Sequence, residues 1–284
     1  MLPENNDHLR RPQFDYVRQF VGARIGMVLK DDKEYFVKLR MSMVAAEYGF
    51  PSLARLVESL QTEEAWGVLH TATAERMAVT ETSFFRDLHP FEEIRLNILP
   101  RLMERRAHTR SLNIWCASVA SGQEPYSLAM LIREHFPELA NWRVRIIATD
   151  FSKAMLARCR AGLYSQIEVN RGLPIAYLLK YFTREGASWR IRDDLRTMLE
   201  LKELNLIQTW PTLPTMDLVL MRNVLLYFTP EVSREVLRRA SEVIREDGCL
   251  LLGSSECAQP TDTAFEARQV GRTLVHYPRA RRAA

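Results

Sequence analysis

Two acidic side chains in this sequence follow short apolar segments of the kind that form buried strands. Glu124 comes after residues 112–117 and a loop of small residues, and Asp150 comes directly after residues 144–149. The first carboxylate could pair with an ammonium or sulfonium group, and the second could accept both hydroxyls of a ribose. Alternatively, Glu124 is a charge that favours the start of a helix, and Asp150 caps the next helix. Together the two acids favour a nucleoside site.

Further polar residues follow apolar segments later in the chain. Arg222 and Asn223 come directly after such a segment, and burying them there is costly unless they bond something. For Arg222, the alternative is an arginine–carboxylate pair inside the protein. Asn205 and Leu206 come after residues 199–204, which are another candidate strand. These residues are therefore candidates for the same site.

Residues 80–87 (TETSFFRD) place polar groups, two aromatic rings and Arg86 within a few positions. One interpretation is that Thr82 or Ser83 caps a linking helix and that the two phenylalanines belong to the core. The other is that the segment lies over an edge of a sheet and closes a ligand pocket.

The elements that would position these residues form a repeating pattern after Arg110. Short apolar runs alternate with amphipathic stretches that begin near Pro125, Ser152 and Pro230, which indicates a parallel sheet covered on both faces. The predicted strands are residues 112–117, 144–149, 199–204, 216–221, 249–252 and 270–277, with the last as one arm of a terminal hairpin that begins near Phe265. The fold class is α/β and doubly wound, and such sheets bind ligands beyond the carboxyl ends of their strands.

Before residue 78 the apolar residues recur at helical spacing instead. The pattern predicts a first helix from Phe14 to Ile25, and a second that Asp31 caps, with Glu34 completing a capping box. A third helix follows Ser52, and a fourth carries Trp66, Leu69 and Ala72. The predicted organisation is a helical domain over 1–78, a linker and connecting helix over 79–110, and the α/β domain over 111–284.

Composition excludes several classes of protein. The 284 residues are 47% hydrophobic and 26% charged with a net charge of +4, as in a soluble globular protein. No apolar run approaches the roughly 20 residues of a membrane helix, and the first residues do not resemble a signal peptide, so a cytoplasmic protein is expected. The sequence has no nucleotide-binding glycine motif, and no aromatic and basic stripe for nucleic acid. The scattered histidines and cysteines disfavour a metal site, and the cysteines are predicted to be buried thiols: Cys116, Cys159, Cys249 and Cys257.

The chain resembles the CheR-type chemotaxis receptor methyltransferases, from about Phe14 to Tyr277. The resemblance is carried by residues 80–87, 115–127 (WCASVASGQEPYS) and 217–228 (DLVLMRNVLLYF), with a lesser match at 148–150 and 161–164. It implies a helical amino-terminal domain, a Rossmann-like methyltransferase domain and S-adenosyl-L-methionine as cofactor. The residues that the resemblance places around this cofactor are Thr80, Thr82 and Arg86 from the linker, Glu124 at the methionyl part, Asp150 at the ribose, and Asn205, Leu206, Arg222 and Asn223 in the pocket wall.

The implied reaction is displacement at the sulfonium methyl by a glutamate carboxylate of the receptor, with S-adenosyl-L-homocysteine as product. That nucleophile is already ionised at neutral pH, so no general base is required. Catalysis would come from alignment in a water-poor site. Tyr227 is the candidate catalytic residue, as a group that could position the acceptor.

The resemblance also implies the partner, which is the cytoplasmic helical region of a methyl-accepting receptor. Some family members bind a peptide at the receptor's carboxyl terminus through a small β-subdomain. Here the matching residues 181–192 (YFTREGASWRIR) are few and lack Gly-x-Gly, so no such tether is expected. The helical domain would contact the receptor directly, with Lys38 and Arg40 as candidates or as ordinary solvated charges. The alternative functions are methylation of another substrate, or a regulatory module that only binds the cofactor.

Overall fold

The structure is a computed structural model that describes residues 9–62, 67–256 and 264–279. The chain divides into two compact units. The smaller contains residues 1–79 together with Tyr227–Val232, and the larger contains Thr80–Leu226 together with Ser233–Ala284. The division into three parts, with boundaries after residues 78 and 110, stays a prediction.

Helices make up the smaller unit where it is described. Phe14, Val17, Val21 and Ile25 form the buried stripe of the first helix, at the spacing expected of one helical face. The helix ends at Gly26, whose φ of 73° is left-handed. The helices are α1 (Arg11–Ile25), α2 (Glu34–Glu47), α3 (Leu53–Thr62) and α4 (Val68–Met77), with a 3-10 turn at Asp31–Lys33. Trp66, predicted to lie on the fourth helix, is outside the described residues.

The predicted capping box at the start of α2 is wrong. Lys33 is the residue before the helix, and its side chain makes no capping hydrogen bond. Asp31 instead begins the 3-10 turn, and its carboxylate accepts hydrogen bonds from Arg11 and Arg18 of α1 at 2.9 and 3.0 Å. The two guanidinium groups supply charge-assisted donors, which are stronger than the neutral backbone N–H of a cap.

Strands alternate with helices in the larger unit. In chain order the strands are β1 (Ser111–Ala117), β2 (Arg143–Asp150), β3 (Leu163–Ser165), β4 (Phe182–Glu185), β5 (Ser188–Ile191), β6 (Leu199–Glu203), β7 (Met216–Met221), β8 (Ile244–Leu252), β9 (Phe265–Val270) and β10 (Thr273–Pro278). Within the described ranges, seven of them form one sheet in the order β6-β2-β1-β7-β8-β10-β9. The pairs from β6 to β8 are parallel, and β10 runs antiparallel to both of its neighbours. The predicted α/β fold is confirmed.

Along the chain, two of the remaining helices precede β1 and the others lie between later strands. They are α5 (His89–Glu93), α6 (Leu99–Arg106), α7 (Gln123–His135), α8 (Lys153–Ala161), α9 (Gln166–Asn170), α10 (Ile175–Tyr181), α11 (Asp193–Arg196) and α12 (Pro230–Val243), with a π-helical turn at Ile94–Ile98 and 3-10 turns at Pro137–Asn141 and Leu225–Tyr227. Apolar side chains of β1, β2, β7 and β8 are almost fully buried and form one hydrophobic core with apolar side chains of these helices. A search of the described helices finds none with the length and apolar character needed to span a bilayer.

The end of the large sheet differs from the predicted strand over residues 270–277. That range is interrupted by a turn at Gly271, with φ of 53°, so that β9 and β10 form a hairpin. The hairpin does begin at Phe265 as expected. A second sheet has the order β3-β5-β4, and its β4–β5 hairpin turns at Gly186. Cys116, Cys159 and Cys249 are buried free thiols as predicted, while Cys257 lies outside the described residues.

Candidate functional site

The loop between β1 and α7 has an unusual backbone. Ser118, Ala120 and Gly122 have φ values of 59°, 47° and 94°, so alternate residues are left-handed. Such a conformation is costly for residues with a side chain and is typical of functional sites. The N–H of Ala120 donates to Asp150 Oδ2 at 2.8 Å, and the N–H of Val119 donates to the Thr149 carbonyl at 3.0 Å. The β1 loop is therefore held by the end of β2.

Gly122 is required by the packing of this loop against α8, which the sequence did not indicate. A loop of small residues with a glycine permits close approach of a ligand to the backbone. A Cβ at Gly122 would instead overlap the sulfur of Cys159 on α8, and φ is left-handed. The glycine therefore permits packing of the loop against α8.

Asp150 is buried at the carboxyl end of β2. Its Oδ1 accepts the N–H of Ser152 at 2.9 Å. The cap of α8 is Ser152, whose hydroxyl accepts the N–H of Met155 at 3.1 Å, so the helix-cap alternative for Asp150 is wrong. The carbonyl of Asp150 also accepts the N–H of Leu204 at 3.0 Å.

That last hydrogen bond brings the end of β6 beside Asp150. Asn205 follows directly, and its side-chain oxygen accepts the N–H of Ile207 at 3.2 Å. Leu206 is buried, and its carbonyl accepts the indole N–H of Trp210 at 3.0 Å. The predicted pair 205–206 thus lies next to the predicted ribose acid.

Arg222 is the charged centre of the arrangement, with a side chain only 1% exposed. Its guanidinium donates to Glu124 at 3.0 Å, to Asp87 at 2.8 Å and to the carbonyl of Arg86 at 2.9 Å. The alternative prediction of an internal arginine–carboxylate pair is therefore what the structure contains. The pairing also brings residues 80–87, the start of α7 and the end of β7 together.

The pKa values of the two acids around Arg222 shift in opposite directions. Burial raises the pKa of Glu124, although the positive charges of Arg222 and Arg86 oppose the shift. Burial acts in the same direction on Asp87, but a hydrogen bond from Ser254 and the charge of Arg222 outweigh it and hold the pKa of Asp87 below its usual range. A further cation bound beside Glu124 would stabilise its ionised form and so lower its raised pKa.

Residues 80–87 form a tight turn before α5. Phe84 and Phe85 are buried as predicted, and the N–H of Phe85 donates to the hydroxyl of Ser127 on α7 at 2.9 Å. The residue before α5 is Leu88, with no side-chain cap, so neither Thr82 nor Ser83 caps this helix. Phe85, Asp87 and Leu88 have φ values of 46°, 67° and 50°.

The other predicted linker residues are held less firmly. The Arg86 guanidinium donates to the carbonyl of Glu81 at 3.1 Å and remains partly exposed. Thr80 and Thr82 are also partly exposed. In the part of the chain that the structure describes, the hydrogen bonds that join Glu124, Asp150 and Arg222 do not include either threonine.

Two acids of the site escaped the sequence analysis. Asp87 pairs with Arg222, and Glu256 accepts the N–H of Asn223 at 2.6 Å. Each of these two acids could have been predicted from a feature of the sequence. A buried Arg222 requires a carboxylate partner, which Asp87 supplies. Glu256 comes shortly after the apolar run of β8, and ligands of such sheets bind beyond the carboxyl ends of the strands.

Tyr227, the predicted catalytic residue, belongs to the smaller unit. It ends the 3-10 turn Leu225–Tyr227, and its carbonyl accepts the N–H of Val28 at 2.8 Å. Its catalytic role remains a prediction, as do the roles of the cofactor-binding residues.

Comparison with known proteins agrees with this arrangement. Residues 80–273 match the family described as CheR methyltransferase, SAM binding domain. Chemotaxis protein methyltransferase 1 of Pseudomonas aeruginosa is 37% identical over 267 residues, covering 93% of this chain and 96% of the relative. Chemotaxis protein methyltransferase Cher2 of Pseudomonas putida is 33% identical, with the same two coverages. Chemotaxis protein methyltransferase 1 of Vibrio cholerae is 34% identical, covering 89% and 91%. The chain belongs to the CheR methyltransferase family.

Proposed function

We propose that this chain transfers the methyl group of S-adenosyl-L-methionine to glutamate side chains on the cytoplasmic helices of chemotaxis receptors. The observation that carries the proposal is the site itself, in which Glu124 and Asp150 follow neighbouring parallel strands and are joined through the β1 loop. The similarity to chemotaxis protein methyltransferases over most of the chain supports the same conclusion.

The side chains present suit this cofactor. When bound, it supplies a methyl group on a positively charged sulfur, next to an amino acid part and a nucleoside. A buried carboxylate at Glu124 is suited to the ammonium group of the amino acid part. Asp150 is buried at the end of β2, and a carboxylate there is suited to accept hydrogen bonds from the ribose hydroxyls.

The chain's own residues then have distinct tasks. Arg222 fixes the carboxylate of Glu124 by an ion pair, and Asn205 and Leu206 form the wall beside Asp150. No general base is needed, because the pKa of a glutamate side chain leaves it ionised at neutral pH. The main contribution of the protein is therefore alignment of acceptor and donor with water excluded. Tyr227 is proposed to position the acceptor.

The raised pKa of Glu124 predicts a pH-dependent affinity for the cofactor. In the folded protein this pKa lies above its ordinary value of 4.5, so as the pH falls Glu124 takes up a proton at a higher pH than an ordinary glutamate does. A cation binds the ionised form, so the affinity should rise with pH by at most about tenfold per unit. The ligand's own α-amino group titrates at about pH 8 or above and its α-carboxyl group below about pH 4, so neither changes its charge much between about pH 5 and about pH 7. Calorimetric titration between about pH 5 and about pH 7 measures the effect.

The matched control is Glu124→Gln, which should bind weakly with little dependence on pH. In the ligand-free protein, the contribution of Glu124 to the free energy of unfolding falls as the pH rises, whereas the affinity for the cofactor rises. A carboxyl with a raised folded pKa contributes most below its ordinary pKa of 4.5, and this contribution is lost as the pH rises. An unchanged pH profile in Glu124→Gln would assign the dependence to another group.

The proposed receptor surface lies on α2. Tyr35, Leu39 and Met43 are 78%, 50% and 44% exposed, and they lie at four-residue spacing opposite the buried face of the helix. A second apolar stripe on one helix is unusual unless a partner covers it. Lys38 and Arg40 lie beside it and would suit acidic residues of a receptor helix. We propose no carboxyl-terminal tether, since β4 and β5 are joined by a short turn.

The test is incubation of the purified chain with methyl-labelled cofactor and receptor-containing membranes of its own host. A methyl ester on glutamate is base-labile, so the label should appear on the receptor and be released as methanol by alkali. Base-stable label on the receptor would exclude esterification, and cofactor binding without any transfer would indicate a regulatory module. Label on another component would indicate a different substrate.

The same assay separates docking from cofactor binding. Leu39→Glu places a charge in the exposed stripe of α2 and should reduce labelling of the receptor while the Kd for the cofactor stays unchanged. Lys38→Ala tests the neighbouring charge. Receptor truncated at its carboxyl terminus should be labelled as well as the intact receptor if no tether is used.

A further inference from the structure

The turn after β8 carries a carboxylate that collects backbone donors from two strand ends. Glu256 accepts hydrogen bonds from the N–H groups of Asn223, Gly253 and Leu226 at 2.6, 2.8 and 3.1 Å. Its Oε2 takes the first two and its Oε1 the third. Hydrogen bonds to an ionised acceptor are roughly twice as strong as neutral ones, so this carboxylate fixes all three backbone segments.

The position of Glu256 explains why a side chain is needed there. The last residue pair of the β7–β8 ladder joins Met221 to Leu252. Beyond it, Oε2 accepts the N–H of Gly253, just after β8, and the N–H of Asn223, just after β7. The carboxylate therefore continues the connection between two parallel strands where their own hydrogen bonds have stopped.

Gly253 makes room for this arrangement. A Cβ at this position would lie 2.7 Å from Glu256 Oε2 and 2.7 Å from the side-chain nitrogen of Asn223. Real Cβ atoms essentially never approach other atoms so closely. The turn is closed by the N–H of Glu256, which donates to the carbonyl of Gly253 at 2.9 Å.

The same turn also contacts the linker acid. The hydroxyl of Ser254 donates to Asp87 Oδ2 at 2.7 Å, and the same oxygen accepts from Arg222 at 2.8 Å. Residues 253–256 thus hold both the backbone that carries Arg222 and Asn223 and the acid that pairs with Arg222.

We propose that Glu256 is a positioning residue for methyl transfer, which fixes the backbone of residues 222–226 so that Asn223 and the ion pair of Arg222 with Glu124 keep one arrangement at the cofactor site. This inference rests on the proposed function. Asn223 has φ of 59°, a left-handed conformation that asparagine can adopt but that is less favourable than an extended one. Without its acceptor, the N–H of Asn223 no longer holds this conformation, and the side chains on either side move.

The experiment compares Glu256→Gln with wild type in the full-length chain. Glutamine keeps the shape and one acceptor oxygen, but its NH2 group faces a backbone donor. We expect KM for the cofactor to rise and kcat/KM to fall on the order of 10- to 100-fold, the effect of misplacing site groups by about 1 Å. Both constants are measured well below the unfolding midpoint of the variant, with the folded fraction verified by circular dichroism.

Glu168→Gln is the matched control. Glu168 also accepts a backbone N–H, that of Ser165 at 2.9 Å, but it does so in the capping box of α9. This variant should retain the wild-type kcat and KM. Gly253→Ala should reproduce the kinetic loss of Glu256→Gln, because its Cβ displaces the carboxylate. The double variant should then be no worse than either single one, as expected for residues that act as one unit.

Wild-type kcat and KM in Glu256→Gln would overturn the proposal. So would a loss of folded protein with wild-type constants in the remaining folded fraction, since that is a purely structural role. If wild type itself transfers no methyl group to the receptor, the proposed function fails. The Kd of Glu256→Gln for S-adenosyl-L-methionine, measured by calorimetry, then decides the positioning role alone.

Discussion

Replacing Arg222 with alanine is expected to lower the free energy of unfolding by about 3–5 kcal/mol, the usual cost of removing one partner of a buried ion pair. The side chain is 1% exposed and neutralises both Glu124 and Asp87. Its loss removes the ion-pair partner of both carboxylates, and it also frees the carbonyl of Arg86. Denaturant unfolding of the purified variant measures the change.

Methyl transfer by Arg222→Ala should fall by about 100-fold or more, because residues 80–87 lose their link to the end of β7. Arg222→Lys should restore little, since one ammonium cannot reproduce the planar guanidinium that reaches two carboxylates and a carbonyl. Arg238→Ala is the control, because Arg238 forms its ion pairs with Glu235 and Glu242 at the surface. It should leave both unfolding and transfer near wild type. Unfolding of Arg222→Ala at the wild-type denaturant concentration would contradict the prediction.

Local patterns were enough to predict much of the fold. Short apolar runs separated by helices predicted the central parallel strands, and β7 begins and ends at the residues expected. The strand-end rule then selected Glu124 and Asp150, because it depends only on where a strand stops. The burial cost of a charge selected Arg222.

What could not be predicted depends on contacts between distant residues. Asp87 and Arg222 are 135 positions apart, and no periodicity links them. The capping box failed for the same reason, because Asp31 pairs with arginines of α1 rather than with its own helix. The turn at Gly271 was missed because the residues on both sides favour strands and the hairpin leaves no helix between them. The glycine requirement at Gly122 depends on Cys159, a neighbour only in the fold.

Replacing Asp150 with alanine should weaken binding of S-adenosyl-L-methionine by about 100-fold or more. Two hydrogen bonds to a charged acceptor contribute about 1.5–3 kcal/mol each. The change also removes the acceptor for the N–H of Ala120, which has φ of 47° and is held in the β1 loop by this bond. Asp150→Asn keeps one acceptor oxygen and should lie between wild type and alanine. Isothermal titration with the cofactor measures the Kd of each variant.

Asp217 provides a control of the same chemistry at the opposite edge of the sheet. It is a 1% exposed acid at the amino end of β7, and it accepts the N–H of Asn113 at 2.8 Å and pairs with Arg106 at 2.6 Å. Asp217→Asn should therefore lower stability and leave the Kd for the cofactor unchanged, whereas Asp150→Ala should change the Kd. Because both residues are buried strand acids that hold a neighbouring backbone, a general loss of packing would affect both variants alike. Equal changes in Kd would place the ribose contact elsewhere than at Asp150.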